Sequence, residues 1–167
     1  LEKKRHALLD QTYRNLTPYQ KVLVARHPDR PHCQNYIEAM IEDFQPLCGD
    51  RCFGEDEAII GGLGRLNGMP IVIMGHERGH DTESRLKHNF GMPKPEGYRK
   101  ARRLMEMANH FKLPLITLVD TPGAHPGLEA EERGQAEAIA RSIATMCDLE
   151  VPAITLVTGA GGSGGAT

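Results

Sequence analysis

The sequence predicts an α/β fold behind a helical lead-in, and three observations carry that expectation. Two short apolar runs, 115–119 and 151–157, flank a segment of helical periodicity, so strand, helix and strand follow one another. Asn67-Gly68 lies between the apolar runs 58–66 and 69–74, and this pair tolerates the positive φ angles of a two-residue hairpin turn. Upstream of both, apolar residues recur at three- and four-residue spacing instead of alternating.

Taken in order, Leu8, Leu9, Leu16, Tyr19, Val22 and Leu23 mark one face of two helices, separated where Thr17 can cap and Pro18 can start a new helix. Residues 26–31 form a turn, and Tyr36, Ile37, Met40, Ile41 and Phe44 give another helical stripe. The hairpin follows. Leu104, Met105, Ala108 and Phe111 then lie on one face of a helix over 98–111, leading into the strand 115–119, which ends at Asp120. A helix over 131–146 carries Ala136, Ile139, Ala140, Ile143 and Met146 inward and leads to the strand 151–157. Near-continuous apolar strands on either side of a helix imply a parallel pair joined by a right-handed crossover. Residues 1–56 are therefore expected to form a helical N-terminal segment and 57–167 the start of an α/β domain.

The bulk composition bounds function by exclusion. At 167 residues, 40% hydrophobic and 25% charged, the chain has ordinary globular composition. A net charge of −2 offers no general attraction to nucleic acid, and no apolar run approaches the length of a membrane span. Cys33, Cys48, Cys52 and Cys147 form no CxxC pair, which favours reduced thiols over a disulfide framework or a zinc site. The chain starts without Met and stops inside a glycine run, so it is expected to be a piece of a longer polypeptide.

That run, Gly159-Ala160-Gly161-Gly162-Ser163-Gly164-Gly165, follows the last strand where a helix should begin, a place suited to an anion or a developing oxyanion. It also reads as G-x-G-x-x-G, but no acidic residue follows to hold a ribose. Asp120-Thr121-Pro122-Gly123 falls at the same sheet edge and resembles a GTPase metal motif, without the phosphate loop such a site requires. His76-Glu77-Arg78-Gly79-His80 is a literal H-E-x-x-H, yet it follows a strand directly, and its glycines oppose the helix that would align two zinc-binding imidazoles. Lys87, His88, Lys94, Arg99, Lys100, Arg102 and Arg103 make a local basic segment able to meet a phosphorylated cofactor, or simply a solvated helix face.

Together, Ala25-Arg26-His27-Pro28-Asp29-Arg30-Pro31, Gly49-Asp50-Arg51, Gly75-His76, Asn89-Phe90-Gly91-Met92-Pro93-Lys94-Pro95-Glu96-Gly97-Tyr98-Arg99-Lys100-Ala101, Asp120-Thr121-Pro122-Gly123-Ala124, Glu131-Glu132-Arg133-Gly134-Gln135 and Gly161-Gly162-Ser163-Gly164-Gly165-Ala166 resemble one family in its own order. That family is the carboxyltransferase alpha subunit of multisubunit acetyl-CoA carboxylase. The resemblance implies a crotonase-like fold of repeated ββα units, incomplete here at the C-terminus. It implies transfer of a carboxyl group from carboxybiotin, borne on biotin carboxyl carrier protein, to acetyl-CoA, giving malonyl-CoA for fatty-acid synthesis. Implied partners are a zinc-ribbon-bearing beta subunit, in a heterotetramer, and biotin carboxylase in the larger complex; the implied location is a bacterial cytoplasm or a plastid stroma.

By the same resemblance, Gly164 and Gly165 supply oxyanion-hole amides to the ureido oxygen of biotin. Gly161, Gly162, Ser163 and Gly123 shape that pocket, Lys94, Arg99 and Lys100 contact an anion, and no metal is bound. The chain departs from the family pattern at Ala160, where Glu is usual, at His125, where an aromatic is usual, at Glu77 and His80, where Gln and Arg are usual, and at Thr167, where Leu or Gly is common. A non-catalytic scaffold or regulatory relative, binding acyl-CoA or carrier protein, is the alternative these departures suggest.

Overall fold

The computed structural model describes residues 2–166. The chain divides between Arg30 and Pro31 into two compact units. The first holds α1 (Glu2–Arg14) and α2 (Pro18–Ala25). Their break has a local cause: the Thr17 hydroxyl accepts the Gln20 N–H at 3.3 Å, the Gln20 side-chain oxygen accepts the Thr17 N–H at 2.8 Å, and Pro18 occupies a first-turn position where its missing N–H costs nothing. Neither helix buries a residue.

The second unit opens with α3 (Cys33–Met40) and β1 (Glu42–Pro46). Here the helical stripe expected to run from Tyr36 to Phe44 is corrected: the backbone turns extended at Ile41, and Phe44 lies on a strand. β1 pairs antiparallel with β2 (Ile59–Leu66) through an irregular register, and its short polar sequence with Pro46 suits a sheet edge. The unit that contains the sheet thus already includes residues 31–56.

β2 and β3 (Met69–His76) form the expected hairpin, in register from Ile59↔His76 to Leu66↔Met69. Asn67 and Gly68 both take positive φ, 50° and 77°, as a type I′ turn demands. Beyond α4 (Thr82–Lys87), α5 (Pro95–Phe111) leads to β4 (Leu115–Thr121), which lies parallel to β3. The helix expected over 131–146 is instead two, α6 (Leu128–Glu132) and α7 (Gln135–Cys147), because Gly134 between them is left-handed at φ 80°, ψ 52°. β5 (Ala153–Gly161) then pairs parallel with β4, completing a five-stranded sheet in the order β1-β2-β3-β4-β5.

Two apolar clusters cover the sheet. In one, Ala101, Leu104, Met105 and Ala108 of α5 meet Val72, Met74, Leu115 and Val151. In the other, Cys33, Ile37 and Ile41 meet Ile71, Ile73 and Leu118. α7 is tied to α5 by the Ser142 hydroxyl, which donates to the Tyr98 carbonyl at 3.1 Å. The apolar run of β5 reads as a strand buried on both faces, but β5 is the far edge of the sheet, and Ile154, Leu156 and Val157 are exposed.

Candidate active site

β3, β4 and β5 run parallel and bring His76, Asp120-Thr121 and Gly161 to one edge of the sheet, the edge where ligands gather in such sheets. The β4–β5 ladder is regular to Val119↔Val157, and its next pair is Thr121↔Gly161, so β5 carries two more residues than β4 across that step. Asp120 supplies an acceptor there: its Oδ1 takes the Ala160 N–H at 3.0 Å, and the Thr121 carbonyl takes the Gly162 N–H at 2.9 Å. The chain then makes a tight turn over Ser163–Ala166.

Close packing of backbone on backbone explains two of the glycines. A Cβ on Gly162 would lie 2.2 Å from the Pro122 carbonyl oxygen, and one on Gly165 would lie 2.4 Å from the Gly123 carbonyl carbon. Gly164 differs, because it is exposed and no heavy atom lies within 4 Å of the position a Cβ would take. Gly123, whose N–H donates to the Thr121 hydroxyl at 3.0 Å, faces Ser163. Gly123, Gly161, Gly162, Ser163, Gly164 and Gly165 therefore lie together at this edge, Gly123 and Gly165 buried and Gly161, Ser163 and Gly164 exposed.

The three cations expected at an anion are placed differently. Arg99 donates to Asp50 at 2.7 Å, to Glu96 at 3.3 Å and to the Arg133 carbonyl at 3.0 Å. Lys100, 2% exposed, pairs with Glu55 and donates to the Asp56 carbonyl at 2.8 Å. Both side chains are committed to carboxylates within the protein, where they neutralise charge that burial would otherwise penalise. Lys94 is partly exposed, with its ammonium 3.8 Å from Glu129 and its backbone N–H on Asp56 at 2.7 Å. Its place at the N-cap of α5 leaves it the most accessible of the three.

The H-E-x-x-H segment is a strand end and a turn. Glu77 accepts the N–H groups of Gln34, Arg78 and Gly79 at 2.9, 2.9 and 2.8 Å, and Gly79 takes φ +73°. His76 faces the Gly165 carbonyl, with Nε2 at 3.1 Å, whereas the His80 ring meets that of His32 at 5.5 Å between centroids. The two imidazoles do not share a helical face, and among the described residues no group of three or more His, Cys, Asp or Glu is arranged to hold a metal ion. Arg78 follows, with Nη1 3.5 Å from Asp120 Oδ1 and its side chain 31% exposed at the site.

His125 lies on the neighbouring loop. Its Nε2 meets Glu129 at 2.8 Å, its Nδ1 meets the Asn89 amide at 3.0 Å, and Gln135 donates to the Pro93 and His125 carbonyls at 2.9 and 3.0 Å. Beneath the glycine turn is a cavity of about 160 Å³ lined by His76, Tyr98, Met105, Thr117, Ser142 and Gly165, among others. Sequence reasoning missed the contacts of His76 with Gly165, Arg78 with Asp120 and the Asp120 carboxylate with Ala160. The partners stand 89, 42 and 40 residues apart, and no local pattern marks them.

Residues 1–167 match the family described as acetyl co-enzyme A carboxylase carboxyltransferase-like. The chain is 66% identical over 166 residues to the acetyl-coenzyme A carboxylase carboxyl transferase subunit alpha of Paramagnetospirillum magneticum, a match covering 99% of this chain and 52% of that protein. The subunit of the same description from Zymomonas mobilis is 64% identical, with 99% and 53% covered. The chain spans about half the length of the curated relatives it matches. Among solved structures, transcarboxylase 12S superposes with a TM-score of 0.65 at 21% identity, over 81% of this chain and 24% of that one. The beta subunit of Pseudomonas aeruginosa geranyl-CoA carboxylase gives 0.61 at 22%, over 85% and 25%. The fold is the crotonase-like one.

Proposed function

Since the chain belongs to the acetyl-CoA carboxylase carboxyltransferase alpha-subunit family, we propose that it forms the biotin-facing side of a carboxyltransferase site, completed by the rest of its own subunit and by a beta subunit. The observation that carries this is Gly164, an exposed glycine whose Cβ position no heavy atom approaches within 4 Å, beside two glycines that close backbone packing requires. Open space at that position is what an incoming ureido group needs to reach the backbone, so the residues present fit the group.

When bound, carboxybiotin would supply the carboxyl group and a ureido oxygen able to carry negative charge. The N–H groups of Gly164 and Gly165 stabilise that charge, with Gly165 already fixed against Gly123 and Ala124. Gly161, Gly162, Ser163 and Gly123 hold the turn, and Lys94 remains available to an anionic substituent at the rim. Donors fixed before the charge develops favour the transition state over the neutral ground state, and each is worth about 3 kcal/mol.

Acetyl-CoA is the proposed acceptor and malonyl-CoA the product, for fatty-acid synthesis, with carrier protein and biotin carboxylase in the complete assembly. No helix among the described residues is long and apolar enough to cross a membrane, and the proposed location is the bacterial cytoplasm. The test is carboxyl exchange between malonyl-CoA and biocytin by the full-length subunit mixed with its beta subunit, each alone serving as control. Turnover in the mixture alone is the expected result. A stable complex without turnover would instead identify a scaffold.

A further inference from the structure

We propose that His76 is the positioning residue of the glycine turn: its Nε2–H donates to the Gly165 carbonyl and holds the Gly164–Gly165 segment in the geometry that receives the oxyanion. The proposal deepens the functional reading above and rests on it for the identity of the oxyanion.

Three observations support it. First, the contact is well formed and dry. Nε2 lies 3.1 Å from the carbonyl oxygen, His76 is 7% exposed and Gly165 is buried. Second, the donor stands on a rigid base. His76 pairs with Ile59 as the last residue of the hairpin register, and the next residue, Glu77, is anchored by the N–H groups of Gln34, Arg78 and Gly79. The imidazole therefore has little freedom to follow the loop, and the loop is held by the imidazole.

Third, the turn needs an external hold. Four glycines among residues 161–165 give the segment broad conformational freedom, and the Gly123–Ala124 backbone packs against Gly165 from one direction. A hydrogen bond to the Gly165 carbonyl fixes the peptide plane that this packing leaves able to rotate. Burial lowers the pKa of His76 against the opposing influence of the Gly165 and Leu118 backbone and of Asp120, and because the Gly165 carbonyl can only accept, its hydrogen bond takes the proton carried by Nε2. His76 thus serves the site through the loop, and the H-E-x-x-H string has a use unrelated to zinc.

The test replaces His76 by Phe, which keeps a ring and removes the donor, and by Gln, whose amide can place an N–H near the same carbonyl. Both variants are made in the full-length subunit assembled with its beta subunit. For H76F the expected result is a fall in kcat for carboxyl exchange of about tenfold, the equivalent of one lost hydrogen bond, with KM for malonyl-CoA unchanged. H76Q should recover most of the rate. In parallel, amide hydrogen exchange of the peptide covering Ser163–Ala166 should quicken in H76F and not in H76Q.

Unchanged exchange in H76F overturns the proposal, and so do equal losses in H76F and H76Q, because a purely space-filling role needs no donor. If the wild-type assembly transfers no carboxyl group, the functional reading fails on its own, while the exchange comparison still decides whether His76 holds the turn.

Discussion

Asp120 and Ala160 are joined across the irregular step between β4 and β5, the buried carboxylate accepting the Ala160 N–H at 3.0 Å. What residue 160 gives this contact is its backbone, so the absence of the glutamate usual in the family leaves it intact. The same carboxylate oxygen lies 3.5 Å from Arg78 Nη1, and one side chain thereby ties the end of β5 to the segment that follows β3.

Asp120→Ala removes the acceptor from Ala160 and Arg78 together. It should destabilise the fold by about 2–4 kcal/mol, the range for stranding buried polar groups. Asp120→Asn keeps an oxygen in place and should cost less. Urea unfolding of both variants measures the difference, and equal losses would show that the charge, not the acceptor, matters.

Gly164 and Gly165 should respond oppositely to a side chain. Gly164→Val places its Cβ where no heavy atom lies within 4 Å, so the protein should fold nearly as well as the wild type while the assembled enzyme loses about a hundredfold or more in carboxyl exchange. Gly165→Val drives its Cβ to 2.4 Å from the Gly123 backbone and should lower the melting temperature as well. Calorimetry beside the exchange assay separates the two effects; full activity in Gly164→Val would remove that residue from the site.

The parts of the fold that local chemistry dictates were legible: Asn67-Gly68 specified the hairpin, Thr17-Pro18 the helix break, and two apolar runs the β4–β5 pair. β1 was not, because Glu42-Asp43-Phe44-Gln45-Pro46 has no strand alternation and is a strand only through pairing with β2. The break at Gly134 lay inside an otherwise helical pattern and depended on one residue turning left-handed. At the site, the gathering of the glycines into one turn was legible because the turn is local in sequence. Arg99 and Lys100 were misplaced because Asp50 and Glu55, which claim them, can be recognised as partners only once α5 is packed against the preceding loop.

Leu104 is fully buried in the cluster between α5 and the sheet, whereas Leu8 and Leu23 of the first unit are exposed. Leu104→Ala should therefore cost about 3 kcal/mol through lost transfer energy and the cavity left behind. Leu8→Ala and Leu23→Ala should each change stability by less than about 0.5 kcal/mol, as exposed substitutions usually do. Chemical denaturation of the three variants checks the contrast, and a large loss at Leu8 would place it in a contact this chain alone does not make.

Asp50 gives the fold a predictable response to acid. Burial alone would raise its carboxyl, but the Arg99 guanidinium at 2.7 Å and the N–H groups of Cys52, Phe53 and Gly54 at 2.9, 2.8 and 2.9 Å overcome that and hold it at about 2, against an ordinary 3.8. The folded state thus binds this proton more weakly than the unfolded state does. The stability Asp50 contributes is complete above the unfolded value near 4 and disappears as pH falls towards 2. Its size is about 2 kcal/mol, from the shift at 1.36 kcal/mol per pH unit. Asp50→Asn cannot titrate, so the stability gap between wild type and variant should shrink over that window. Urea midpoints measured from about pH 5 to about pH 2 test it: a gap that stays constant would assign the acid response to other carboxylates.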